Sequence, residues 1–265
     1  MIASAIIVFR EVLEAALVVA VILGATKGLK GRGAWVGWGI AAGVLGALVV
    51  AAFMGEISQS LSGVGQPIFE ASVLLTAVLM LGWHNIWMSR HGKRIAAELK
   101  RMGSEVHLGR KSMTAIFAAT AIAVLREGSE IVLFLYGVAA NGAGAWSILA
   151  GGVLGLAGGA AVGFALYLGI MKIPVRYFFR ATGWMILLLA AGMASQAAAF
   201  LNQADLLPAI RDSIWNTSWL LSGQSLAGNI LKTLVGYTPD PSAMQLVFYA
   251  GTILVIGGLM KLAQE

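Results

Sequence analysis

Long apolar runs alternate with short polar breaks along nearly the whole chain. Runs at about 2–25, 34–54, 68–89, 113–139, 146–171, 181–201 and 246–262 are each about the length of a membrane-spanning helix. Turn signals separate many of them: KGLKGRG at 27–33, SGVGQP at 62–67, NGAGA at 141–145 and KIP at 172–174. The runs are too long and too uniformly apolar for the ~10-residue alternating strands of a membrane barrel. The pattern predicts an all-α integral membrane protein with seven transmembrane helices. Two connections are long. Residues 90–111 are basic and helix-forming, and read as a solvated helix beside anionic headgroups. Residues 202–245 mix Trp215 and Trp219 with Pro and Gly, as a segment lying partly along the interface would.

Composition agrees. Of 265 residues, 59% are hydrophobic and only 11% charged, against roughly a quarter charged in a soluble domain. There is no cysteine, so neither a disulfide framework nor a thiolate metal site is available. The calculated pI of 9.8 reflects topology and not a nucleic-acid surface. One alternate set of connections carries Lys27, Lys30, Arg32, Arg90, Lys93, Arg94, Lys100, Arg101, Arg110, Lys111, Lys172, Arg176, Arg180 and Lys261; the opposite set has Arg211 and Lys232. Positive residues stay on the cytoplasmic side, so the expected N-terminus is outside and the C-terminus cytoplasmic.

Arg10 and Arg126 break this rule, because both lie inside spans. Each opens the same motif: REVLE, with Arg10, Glu11 and Glu14, in the first span, and REGSE, with Arg126, Glu127 and Glu130, in the fourth. At 100° per residue, Glu14 lies about 40° and Glu11 about 100° around the helix from Arg10, so the three share one side. Each motif begins 10–14 residues into its span, roughly 15–20 Å deep. Entered from opposite surfaces, both depths fall near the bilayer centre. A charge facing lipid there costs at least ~2.5 kcal/mol, so all six are expected to face the bundle interior. The motifs are three spans apart, first to fourth, an odd offset, which inverts one half against the other. IFEASVLL (68–75) and FFRATGWM (178–185) echo each other, as do Gly82 and Gly192. The expected plan is an inverted 3+3 repeat, 1–89 and 113–201, followed by the extracytoplasmic segment 202–245 and a seventh helix with a short tail, 246–265, within one membrane domain. Such plans place the site at the midplane, between repeats.

Four glutamates and two arginines leave a net charge of −2, and Glu70 in the third span adds another carboxylate. A water-poor cavity of this kind suits a hard or borderline cation. One motif alone would equally be a structural ion pair, and a proton relay also uses membrane carboxylates; duplication at identical spacing favours the cation. His84, in LGWHNIWM, reads first as a packing or interface residue and only second as a ligand. Gly151, Gly155, Gly159 and Gly163 form a stripe for close helix contact that leaves room for self-association. No nucleophile–base pair or histidine cluster suggests an enzyme.

The doubled motif in the first and fourth of seven spans, with the long segment 213–245 before the last, resembles the high-affinity iron permease family, in its bacterial branch. The resemblance covers nearly the whole chain. It implies an iron importer of the bacterial cytoplasmic (inner) membrane, with iron as substrate and no permanently bound cofactor. Glu11, Glu14, Glu127 and Glu130 would form the iron path, Arg10 and Arg126 would be their charge partners, and Glu70 would match a further carboxylate of the family. It also implies a separate extracytoplasmic oxidase, peroxidase or iron-binding partner. Carboxylates alone suit manganese or lead too, so the metal's identity rests on the resemblance. A membrane sensor or assembly subunit with purely structural ion pairs is the alternative from another class.

Overall fold

The computed structural model describes residues 1–60, 66–140, 142–169, 175–208, 213–219, 221, 225, 228, 231 and 235–262. These form seven long helices: α1 (Ile2–Ala25), α2 (Arg32–Ser60), α3 (Gln66–His107), α4 (Met113–Ala140), α5 (Ala145–Tyr167), α6 (Val175–Gln203) and α7 (Ala243–Leu262). There is no strand among the described residues. Five of the helices are long and apolar enough to cross a membrane on length and composition. The two that miss that threshold are α1 and α4, which carry the charged motifs. Of the expected turns, 27–33 and 142–145 lie at the α1–α2 and α4–α5 junctions, whereas 62–65, 141 and 172–174 fall outside the described residues. After α1 the Thr26 hydroxyl closes the last turn on the Ile22 carbonyl at 2.7 Å, and Gly28 and Gly31 take left-handed φ values of +99° and +78°, which a side chain would strain.

The helices sort their side chains into three layers. An apolar cluster joins Ala3 and Ile7 of α1, Leu74, Ala77 and Leu81 of α3, Phe134 and Val138 of α4, and Ile186, Ala190 and Met193 of α6. A second, at the other end, joins Ile22, Val36, Val106 and Ile116. Between them on α1, α3 and α4 lies a polar layer, described below. Outward faces are apolar: Leu45, Leu48, Val49 and Phe53 on α2, Leu149 and Val153 on α5, and Leu254 and Val255 on α7 are all exposed, as lipid-facing surfaces require.

One difference from the sequence reading concerns 90–111. The helix of the third span does not end at 89: α3 continues to His107 and is 42 residues long in all, about 63 Å at 1.5 Å per residue, or twice the hydrocarbon thickness. Its far end is not simply solvated. Leu99, Met102 and Val106 pack on the ends of α1, α2 and α4, while Lys100 and Arg101 stay exposed. The physical reason is that this stretch is amphipathic, and its apolar side was outweighed by its charge in the sequence.

Glycines set the closest helix contacts. On α5 the expected stripe is buried against α1; a Cβ at Gly155 would lie 2.5 Å from the Ala5 carbonyl, and one at Gly159 2.8 Å from that of Phe9. A second stripe, not singled out in the sequence, does the same on α2. A Cβ at Gly39 would lie 2.8 Å from the Phe117 carbonyl, and one at Gly43 2.8 Å from that of Ala121, both on α4. Each motif helix is thus held by a glycine face from the opposite half of the chain.

The described residues of the segment before α7 fold onto the ends of α6 and α7. The Thr217 amide donates to the Pro239 carbonyl at 2.8 Å and the Ile214 amide to that of Pro241 at 3.0 Å. Gly236 backs onto Gly192 of α6, and the Tyr249 hydroxyl of α7 donates to the Val235 carbonyl at 2.7 Å.

Candidate metal centre

The polar layer is built by three helices. On α1, Arg10 donates to Glu11 Oε1 at 3.1 Å and pairs with Glu14 Oε1, also at 3.1 Å. The one-sided geometry of the motif makes both pairings local. The Arg10 guanidinium also reaches Asn85 Oδ1 of α3 at 3.4 Å, and Asn85 donates in turn to the Gly183 carbonyl of α6 at 3.1 Å. On α4, Arg126 Nε sits 3.2 Å from Glu130 Oε1 and 4.0 Å from Glu127 Oε1. Its guanidinium carbon lies 4.6 Å from the centre of the Trp87 ring, a cation–π distance.

His84 of α3 stands between the two motifs. Its Nε2 is 3.1 Å from Glu14 Oε2 and 3.9 Å from Glu11 Oε2. Its Nδ1 is 2.6 Å from Glu130 Oε2 and 3.3 Å from Arg126 Nη2. One imidazole therefore touches a carboxylate from each half of the chain.

Burial is deep and uneven. Arg10 is 2% exposed, Glu11 0%, Glu14 3%, Glu127 5% and Glu130 8%, whereas the Arg126 side chain is 35% exposed. Glu11 Oε2 and Glu127 Oε2 are shielded from solvent and accept no hydrogen bond, and Glu130 Oε2 contacts His84 without hydrogen-bond alignment. Buried acceptors left without a donor are costly, and a cation relieves that cost directly. Glu11, His84, Glu127 and Glu130 each offer one ligand atom, and all four atoms lie within 4.8 Å of one another. Beside this cluster Thr76, Met80, Trp83 and Trp87 of α3, with Arg126 and Glu130 of α4, line a cavity of about 620 Å³.

The two motifs expected to meet do meet, and Glu14 joins the cluster through His84. Glu70 stands apart. It accepts a hydrogen bond from Gln66 Nε2 at 2.9 Å and lies 14 residues before His84 on α3, roughly 21 Å along the axis. The sequence reading ranked His84 as packing first, and it did not single out Asn85 or Trp87. The signal available was the polar pair His84-Asn85 inside an apolar span, since polar groups at that depth face the bundle interior.

A helical bundle whose interior gathers duplicated carboxylates, framed by exposed apolar surfaces, has the character of an intramembrane ion site. The chain belongs to the iron permease FTR1 family, whose model matches residues 1–263. It is similar to the ferrous iron permease EfeU of Escherichia coli O157:H7, with 32% identity over 248 residues that cover 92% of this chain and 89% of that relative. It is equally similar to that of Shigella sonnei (strain Ss046), at 32% with the same coverage. The ferrous iron permease EfeU of Yersinia pestis is also 32% identical, covering 92% of this chain and 87% of its own length. No solved structure matches the chain.

Proposed function

We propose that this chain imports iron across a bacterial cytoplasmic membrane through a carboxylate site that its two motifs build jointly. The observation that carries this is the convergence of Glu11 with Glu127, Glu130 and His84, whose ligand atoms all lie within 4.8 Å of one another. A single structural ion pair needs neither the second motif nor buried oxygens without donors. Family membership and the relatives' printed names, ferrous iron permeases, supply the metal.

The proposed plan is seven spans arranged as an inverted 3+3 repeat plus α7. Its support is numerical as well as topological. Arg10 and Arg126, Gly39 and Gly155, and Gly43 and Gly159 are each 116 positions apart, so motif and glycine stripe repeat in one register. α1 packs on α5 and α2 on α4, the exchange of partners that an inverted pair of halves produces. Arginine and lysine asymmetry orients the N-terminus outside and the C-terminus in the cytoplasm.

In this reading Glu70 and the outer segment meet the ion first, at the outer end of α3. The ion then exchanges water for the oxygens of Glu11, Glu127 and Glu130, with Glu14 close by. Arg10 and Arg126 hold the carboxylates apart and limit their mutual repulsion while the site is empty. A separate extracytoplasmic oxidase, peroxidase or iron-binding protein delivers the ion. The test is uptake by the purified protein in liposomes, with ferrous iron, ferric iron and manganese offered separately. Iron-selective uptake that disappears in Glu11→Gln/Glu14→Gln is the expected result. Equal uptake of every ion would remove the iron assignment, and unchanged uptake in the double variant would remove the path.

A further inference from the structure

We propose that His84 is a nitrogen ligand to the transported cation and sets the selection among divalent metals; this deepens the reading of the carboxylate cluster as the iron path. Three observations support it. The first is reach. Ligands at ~2.1 Å on opposite sides of an ion lie ~4.2 Å apart, and adjacent ones roughly 3 Å apart. The four candidate atoms span at most 4.8 Å, and His84 Nδ1 and Glu130 Oε2 are 2.6 Å apart. Shifts of a few tenths of an ångström bring them into a coordination sphere.

The second is orientation. A metal-binding imidazole usually has its other ring nitrogen held by a carboxylate, which fixes the ring and its tautomer. His84 has that arrangement: Glu14 Oε2 lies 3.1 Å from Nε2, and Nδ1 faces Glu130 and Arg126. The donor-free Oε2 of Glu11 lies 3.9 Å from Nε2, and Glu127 offers a ligand atom within 4.8 Å of the ring's own. Glu14 then acts as the ring's anchor, which accounts for its place beside the four-atom cluster and not within it.

The third is asymmetry. The echo between the third and sixth spans sets Phe69 against Phe179 and Gly82 against Gly192, each pair 110 positions apart, and so sets His84 against Ala194. Ala194 is buried in the apolar core and offers no donor. Carboxylates thus come to the site from both halves and the imidazole from one. An all-carboxylate site takes calcium, magnesium or manganese readily. Imidazole suits iron and the later first-row metals and adds little for calcium or magnesium. One nitrogen among oxygens therefore tilts the site toward ferrous iron over manganese and the alkaline-earth ions.

The test uses the full chain in lipid nanodiscs and liposomes. Bound Mn²⁺ serves as a spin probe: electron spin-echo modulation from a directly bound imidazole nitrogen is expected in the wild type and absent in His84→Gln. In liposomes, His84→Gln is expected to lower ferrous uptake more than manganese uptake, losing about tenfold of the ferrous-over-manganese preference. An unchanged preference, or a wild-type spectrum without nitrogen coupling, would overturn the proposal. If His84→Gln fails to fold, the wild-type spectrum alone decides. If the wild type carries no iron at all, the transport reading fails while the nitrogen signal still decides the ligand.

Discussion

Arg10 and Arg126 occupy matching places in the two motifs, yet their surroundings predict very different consequences of removing them. Arg10 is enclosed, with two carboxylates at 3.1 Å and Asn85 at 3.4 Å. In Arg10→Met the side chain is replaced by an apolar one of similar reach, and Glu11 and Glu14 are left as neighbouring carboxylates without their cation. Breaking a buried pair by deleting one partner costs about 3–5 kcal/mol. Arg126 is 35% exposed, its nearest carboxylate contact is 3.2 Å, and its other contacts include His84 Nδ1 at 3.3 Å and the Trp87 face. Partly solvated pairs and cation–π contacts are each worth about 1 kcal/mol, so Arg126→Met is expected to cost about 1–2 kcal/mol. Unfolding of each variant in mixed detergent micelles, followed by far-ultraviolet circular dichroism, measures both. The decisive comparison is a third variant, Arg10→Met/Glu14→Gln, which removes the stranded charge and should recover part of the loss. Equal small losses for the two arginine variants, or no recovery in the double variant, would refute the claim that Arg10 neutralises a buried carboxylate pair.

Other expectations follow from the same geometry. Gly155→Leu drives a side chain into the Ala5 carbonyl and Phe9 amide of α1 and should abolish folded protein, whereas Gly152→Ala, with nothing within 4 Å of its Cβ, should be neutral or stabilise by up to ~1 kcal/mol; yield and monodispersity after purification distinguish them. Glu70→Gln should slow uptake at low iron concentration while leaving metal binding at the central cluster intact, as read by equilibrium binding of Mn²⁺; loss of that binding would place Glu70 in the cluster. At the far end of α3, Lys111 lies 2.8 Å from Glu105, and that hydrogen bond holds the Glu105 carboxyl below its ordinary pKa. A depressed carboxyl stabilises at pH above the ordinary value and loses that contribution as pH falls through its folded pKa. Amide exchange at residues 104–110 should therefore show extra protection at neutral pH that fades in acid, and Glu105→Gln should remove the pH dependence.

Much of this was legible in the chain. The apolar runs placed the seven long helices of the described residues, and α1 coincides with the expected run of 2–25. The motifs were legible because charge in oil is rare and one-sided spacing is easily computed. What the sequence concealed was long-range. Nothing local says that α3, rather than another helix, inserts between α1 and α4, so the central role of His84 depends on packing that no periodicity reveals. The α2 glycines escaped for a related reason. Gly39 and Gly43 sit in a run with Gly33, Gly37 and Gly46, and which of them face α4 is decided only by the partner. The far end of α3 was obscured because its charged residues dominate its composition, while a few apolar ones decide its docking.

The central claim is that two motifs, one from each half, build one iron path. Radiolabelled iron uptake into liposomes by Glu11→Gln and by Glu130→Gln, measured separately beside the wild type, tests it most directly. The account predicts that each single change, in a protein that still folds, reduces uptake to the background of empty liposomes. Wild-type-like uptake in either variant would contradict it, since one motif would then suffice.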